Sequence, residues 1–156
     1  MRKPKLRATI LDVSGQKKYE IIKAAISQYN TAFEHSFFLE ATALIESLIS
    51  DRLESRLGEL KQESVAFDTL GNLLRDLGRI ESDEILIQIM NKQINPWSGQ
   101  RNIIIHQAAK IQVGKNKDWN QFLKLAENTA KNGKIAFNNF NKQLEKLRRK
   151  KLISQF

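Results

Sequence analysis

The chain has no cysteine, only two prolines and only two histidines, and nowhere does it build a long apolar run. Without cysteine there is no disulfide framework, no thiolate nucleophile and no cysteine-based zinc site, and nothing points to an oxidising compartment. The cytosol is the expected location. No stretch reaches the roughly 20 apolar residues that span a bilayer, so no membrane partner is expected. Met1-Arg2-Lys3-Pro4-Lys5-Leu6-Arg7 is basic like the first region of a secretory signal, but Ala8-Thr9-Ile10-Leu11-Asp12 never becomes the apolar stretch a signal needs. The alternating pattern of strands, bounded by hairpin turns, is also missing, which leaves helices.

Positive charge is what the sequence does have. Its 26 Lys and Arg against 17 Asp and Glu give a net charge of +9. Such an excess favours a polyanionic partner, nucleic acid first, because lysine and arginine gain affinity by displacing counterions from phosphates. The charge gathers in a basic arm over residues 1–14, in Lys110 to Lys117 and in Lys142 to Lys151. Lys110, Lys115, Lys117, Arg148 and Arg149 are the candidate RNA-binding side chains. Each cluster reads equally as a solvated helix face.

At 156 residues the chain is long enough for one domain with its own core, taken here as 15–156. Helical periodicity predicts a first helix over about Lys17 to Phe33, with Tyr19, Ile22, Ile26 and Tyr29 along one face. A second is expected over Ser36 to Leu57, striped by Phe37, Phe38, Ala41, Leu44, Ile45, Leu48 and Ile49. A third, from Glu63 to Leu77, presents Phe67, Leu70, Leu73, Leu74 and Leu77 and ends at Gly78. Ser82 then caps a further helix, with Asp83 and Glu84 suiting its positive end. Asn95-Pro96 repeats the start signal and launches a helix that stops before Gly114. Asp118 opens the last one, which Gly133 is expected to kink. The expected fold is all-α, an antiparallel bundle of about four main helices with shorter additions.

The helix begun at Asn95-Pro96 carries Arg101, Asn102 and His106. Residues four apart differ by about 40° around a helix axis, so Asn102 lies beside His106 and can orient it. Arg101 and His106 differ by about 140°, so one straight helix splays them apart. In a two-fold dimer with these helices facing, each Arg101 can reach the partner's histidine side and both His106 rings line one cleft. Such a cleft suits RNA, whose 2′-hydroxyl attacks the adjacent phosphorus once a base takes its proton. A histidine ring titrates near neutral pH, so one ring can accept that proton while the other supplies one to the departing 5′-oxygen. Arg101 would hold the phosphoryl oxygens. No metal or other cofactor is needed for this chemistry.

The run Arg101-Asn102-Ile103-Ile104-Ile105-His106 resembles the Arg-Asn-x-x-x-His signature of the HEPN superfamily, small helical proteins that include ribonuclease toxins and anti-phage effectors. Phe37-Phe38-Leu39-Glu40-Ala41-Thr42-Ala43-Leu44-Ile45-Glu46 resembles that family's long core helix. Thr69-Leu70-Gly71-Asn72-Leu73-Leu74 is similar to one of its helix starts, and Trp97 stands shortly before the arginine, as in many relatives. The likeness covers about Ser36 to Lys110. It implies a HEPN-like, homodimeric, metal-independent endoribonuclease, a toxin or phage-defence effector with an antitoxin protein as a further partner. It assigns phosphate binding to Arg101, positioning of the histidine to Asn102 and acid or base catalysis to His106. Some relatives add a polar residue from the long helix, which leaves Glu40 and Glu46 both open.

The same likeness extends to members that bind RNA or nucleotides, or serve as interaction modules, without cutting. His35, at a helix junction, carries no assigned role. Trp97 and Trp119 can stack on bases, though tryptophans at helix starts more commonly pack into a bundle. The three isoleucines before His106 are expected in the core. A helix-turn-helix over Leu73 to Met90 is disfavoured, since Glu81, Asp83 and Glu84 would repel DNA phosphates.

Overall fold

The computed structural model describes residues 13–108 and 118–156. Of the basic arm expected over 1–14, residues 1–12 lie outside the described residues, and 13–14 already belong to the first helix. Helix α1 covers Val13–Glu34, α2 Phe38–Lys61, α3 Leu70–Ile80, α4 Glu84–Ile89, α5 Asn95–Gln107 and α6 Trp119–Ile153. A π-helical turn, Met90–Ile94, joins α4 to α5. No described helix is long and apolar enough to cross a membrane.

The directions of the main helices follow from their side-chain pairs. Lys18 meets Asp51 at 3.1 Å and Gln28 meets Glu40 at 3.0 Å, so α1 and α2 are antiparallel. Gln143 reaches Asp83 and Asn139 reaches Gln93, so the run 84–107 descends along α6 in the opposite sense. Gly133 lies against Ile45 and Arg148 against Glu59, so α2 and α6 run parallel, as the second and fourth helices of an up-and-down bundle must. The short α3 is an insertion packed on α2. One apolar cluster, from Tyr29 and Leu48 through Leu77 and Leu86 to Phe137 and Leu144, runs through the bundle.

Asp118 opens α6 as expected, its carboxylate accepting from the Gln121 amide at 2.8 Å while the Gln121 side chain accepts from the Asp118 amide. Other boundaries differ from expectation. Asp83, not Ser82, caps α4, accepting from the Leu86 amide at 2.8 Å. Gly78 lies inside α3, and Phe67, expected in the core, is 93% exposed because α3 begins only at Leu70 under its Thr69 cap. Asn95 is itself helical (φ −63, ψ −48), so the chain does not restart there. Pro96 has no amide hydrogen for the Lys92 carbonyl, and the wider π turn, in which the Asn95 amide reaches back to Met90, carries the helix past this defect.

Helix α6 is continuous through Gly133, where the missing side chain provides room. A Cβ there would lie 2.7 Å from Ile45 Cγ2 and 2.7 Å from Trp97 Nε1. The close approach lets two aromatic donors tie neighbouring elements to successive carbonyls of α6. Trp97 Nε1 donates to Thr129 at 2.8 Å, and the Tyr29 hydroxyl, its pKa pushed up to about 12 by burial, donates to Ala130 at 2.9 Å. Gly133→Ala is therefore expected to destabilise the protein by about 1–3 kcal/mol through overpacking, despite alanine's better helix propensity. Denaturant melts check the sign: a stabilised variant would mean the indole can move aside freely.

Candidate functional site on α5

Helix α5 is held by few residues. Trp97 and Ile104 are its buried side chains, at 2% and 0% exposure, and Arg101 lies between them on the same inward stripe, four residues after one and three before the other. That placement sends the guanidinium toward α2, where Nη2 pairs with Glu46 Oε1. Nη1 donates to Asn102 Oδ1. The Arg101 and Glu46 side chains are 18% and 28% exposed, and Arg101 Nε is buried without a hydrogen-bond partner among the described residues. One turn before Glu46, the Thr42 hydroxyl is also buried and unpartnered.

The outward stripe of α5 carries Gly99, Asn102, Ile103 and His106, all exposed. His106 has no hydrogen bond or ion pair among the described residues. Asn102 was expected to orient it, but the Asn102 amide oxygen accepts from Arg101 instead. Arg101 and His106 do not converge within one chain. The expectation of three core isoleucines also fails. Ile103 and Ile105 are 46% and 44% exposed, since three successive residues sweep about 200° of helix and α5 packs along a single stripe.

Of the two carboxylates left open by the sequence, Glu46 meets Arg101 across 55 positions, whereas Glu40 is exposed and accepts from Gln28. The candidate RNA-binding residues divide. Lys110, Lys115 and Lys117 lie outside the described residues, and Arg149 is exposed. Arg148 is a correction: it is 7% exposed, donating to Glu59 at 2.7 Å, Ser55 at 2.8 Å and Glu145 at 3.2 Å, so its charge is neutralised inside the bundle. Trp97 is a core residue, whereas Trp119 is 61% exposed and stacks on Phe122. His35 Nδ1 lies 2.8 Å from the Thr31 carbonyl, in keeping with a junction residue. Among the described residues no group of three or more acidic or histidine side chains is disposed to hold a metal ion.

Comparison of the chain with protein-family models, with curated proteins and with solved structures gives no match.

Proposed function

We propose that the chain is a HEPN-like endoribonuclease that works as a homodimer without a metal, in the role of a toxin or phage-defence effector. The observation that carries this reading is His106: an imidazole exposed and unpartnered, one turn beyond Asn102, on a helix face that no other part of the described chain covers. Exposed Ile103 and Ile105 beside it, and Gly99, where an added Cβ would meet nothing within 4 Å, suit that face to a second copy. In the facing arrangement one His106 takes the proton of the ribose 2′-hydroxyl. The O2′–P bond forms as the P–O5′ bond breaks, and the second His106 returns a proton to the leaving oxygen. Arg101, held toward the junction of α2 and α5 by Glu46, neutralises the phosphoryl oxygens as charge builds on them.

A second reading has its own support. Because Arg101 is engaged by Glu46 and turned inward, the same residues serve equally as a structural tie in a non-catalytic RNA-binding module. Labelled RNA incubated with the protein in excess chelator separates the two. Fragments ending in 2′,3′-cyclic phosphate and 5′-hydroxyl are expected. RNA retained but uncut would favour the module, and cleavage only with added divalent ion would contradict the mechanism.

A further inference from the structure

Between the 84–94 run and α6 lies a groove of about 390 Å³, near the lower end of the roughly 300–1,000 Å³ usual for ligand clefts. Lys92 from the 84–94 run and Lys142 and Lys146 from α6 line it, with Gln88, Gln93 and Asn139 among the other lining residues. The three lysines are exposed, and among the described residues none is in an ion pair. This sets them apart from Arg56, Arg101, Arg148, Lys18 and Lys131, each of which meets a carboxylate.

Two acids close in sequence to the groove's lining are engaged, whereas Glu84, one turn before Gln88, is exposed and in no ion pair among the described residues. Asp83 accepts from the Gln143 amide at 3.1 Å and from the Leu86 backbone at 2.8 Å, and Glu145 accepts from Arg148 at 3.2 Å. Three lysines therefore line a cleft whose other polar lining residues are neutral amides. A phosphate would meet charge from the lysines and hydrogen bonds from the amides.

The positive track also outruns the cleft. Lys142, Lys146, Arg149 and Lys150 recur at helical spacing on one face of α6, over roughly 12 Å of axis. A free anion needs no such length, whereas a polymer of phosphates does. We propose that this groove docks the phosphodiester backbone of a nucleic-acid strand, through residues other than those of the α5 site.

The test is fluorescence anisotropy with a single-stranded RNA oligonucleotide and a DNA of the same sequence. The protein carries His106→Ala, so that nothing is cut and failure of the nuclease reading leaves the measurement standing. Three phosphate contacts at about 0.7 each predict that Lys92→Gln, Lys142→Gln and Lys146→Gln together lower the slope of log affinity against log salt by about 2, on RNA and DNA alike. At roughly 0.1 M salt the loss in affinity is about 100-fold. The triple variant should melt like its parent. Removing the same charge elsewhere, by Lys17→Gln, Lys23→Gln and Lys61→Gln, should change the slope far less.

An equal loss in that control would overturn the proposal in favour of a diffuse field. So would displacement of the strand by millimolar inorganic phosphate at constant ionic strength, which would mark a simple anion pocket. Binding of polyglutamate equal to that of either strand would also overturn it.

Discussion

Glu81→Ala is expected to destabilise the protein by about 3–5 kcal/mol, a fall of roughly 10 °C in Tm, although Glu81 lies outside every candidate site. Its side chain is 0% exposed. Oε2 accepts from Arg56 Nε at 2.7 Å, and Oε1 accepts from Arg56 Nη2 at 2.9 Å and from the Ser82 and Asp83 amides, each at 3.0 Å. One carboxylate thus neutralises a guanidinium on α2 and satisfies the two amides that lead into α4. Alanine would leave Arg56, 15% exposed, with only Glu59 at 3.6 Å, and would strand both amides. Glu81→Gln keeps the shape but not the charge, so an intermediate loss is expected.

Acid should reproduce the defect in the wild type. Burial pushes the Glu81 carboxyl up, but the hydrogen bonds and charge of Arg56 and the amides of Asp83 and Ser82 outweigh it and hold the group below its ordinary value. A depressed acid stabilises fully above the pH at which glutamate titrates in the unfolded chain, about 4.3, and its contribution fades as pH falls through the lower folded value. Wild type should therefore lose stability more steeply than Glu81→Gln over that acid range in urea melts. Parallel curves for the two proteins would place the acid sensitivity elsewhere.

Local signals in the chain were legible where local chemistry decides. The apolar stripe of α2 from Phe38 to Ile49 and the Asp118 start of α6 follow from periodicity and capping, which act within a few residues, whereas Phe37, also expected in that stripe, stands just before the helix and is exposed. Asn95-Pro96 has the form of a helix start but sits in a continuous run, because the π turn supplies an alternative that no start signal encodes. Arg148 belongs by composition to a basic cluster, yet its partners Glu59 and Ser55 come from α2, 89 and 93 positions away. The same limit applies to the candidate site. Glu40 and Glu46 are equivalent in sequence, and only the crossing of α5 over α2 separates them. Gly133 reads in the sequence only as a point of kinking, and the close approach of Trp97 to it comes from a helix 36 positions away.

His106→Ala should lower RNA cleavage by about 10²–10⁴-fold, the usual contribution of a positioned acid or base. Stability should change by no more than about 0.5 kcal/mol, because the ring is exposed and touches no partner among the described residues. Arg101→Ala is expected to differ in kind. It should lower cleavage by about 10²–10³-fold and also loosen α5, since it removes the partner of Glu46 as well as the phosphate ligand. Wild-type and His106→Ala subunits, reassorted in equal amounts, then measure how many rings each cleavage needs. A cleft that uses both His106 side chains leaves activity only in the wild-type pairs, about a quarter of the dimers. One ring per cleft, or a monomer acting alone, leaves about half. Retention of half the activity after full exchange would remove the two-histidine cleft from the mechanism, because a single ring would then have to serve each cleavage as both base and acid.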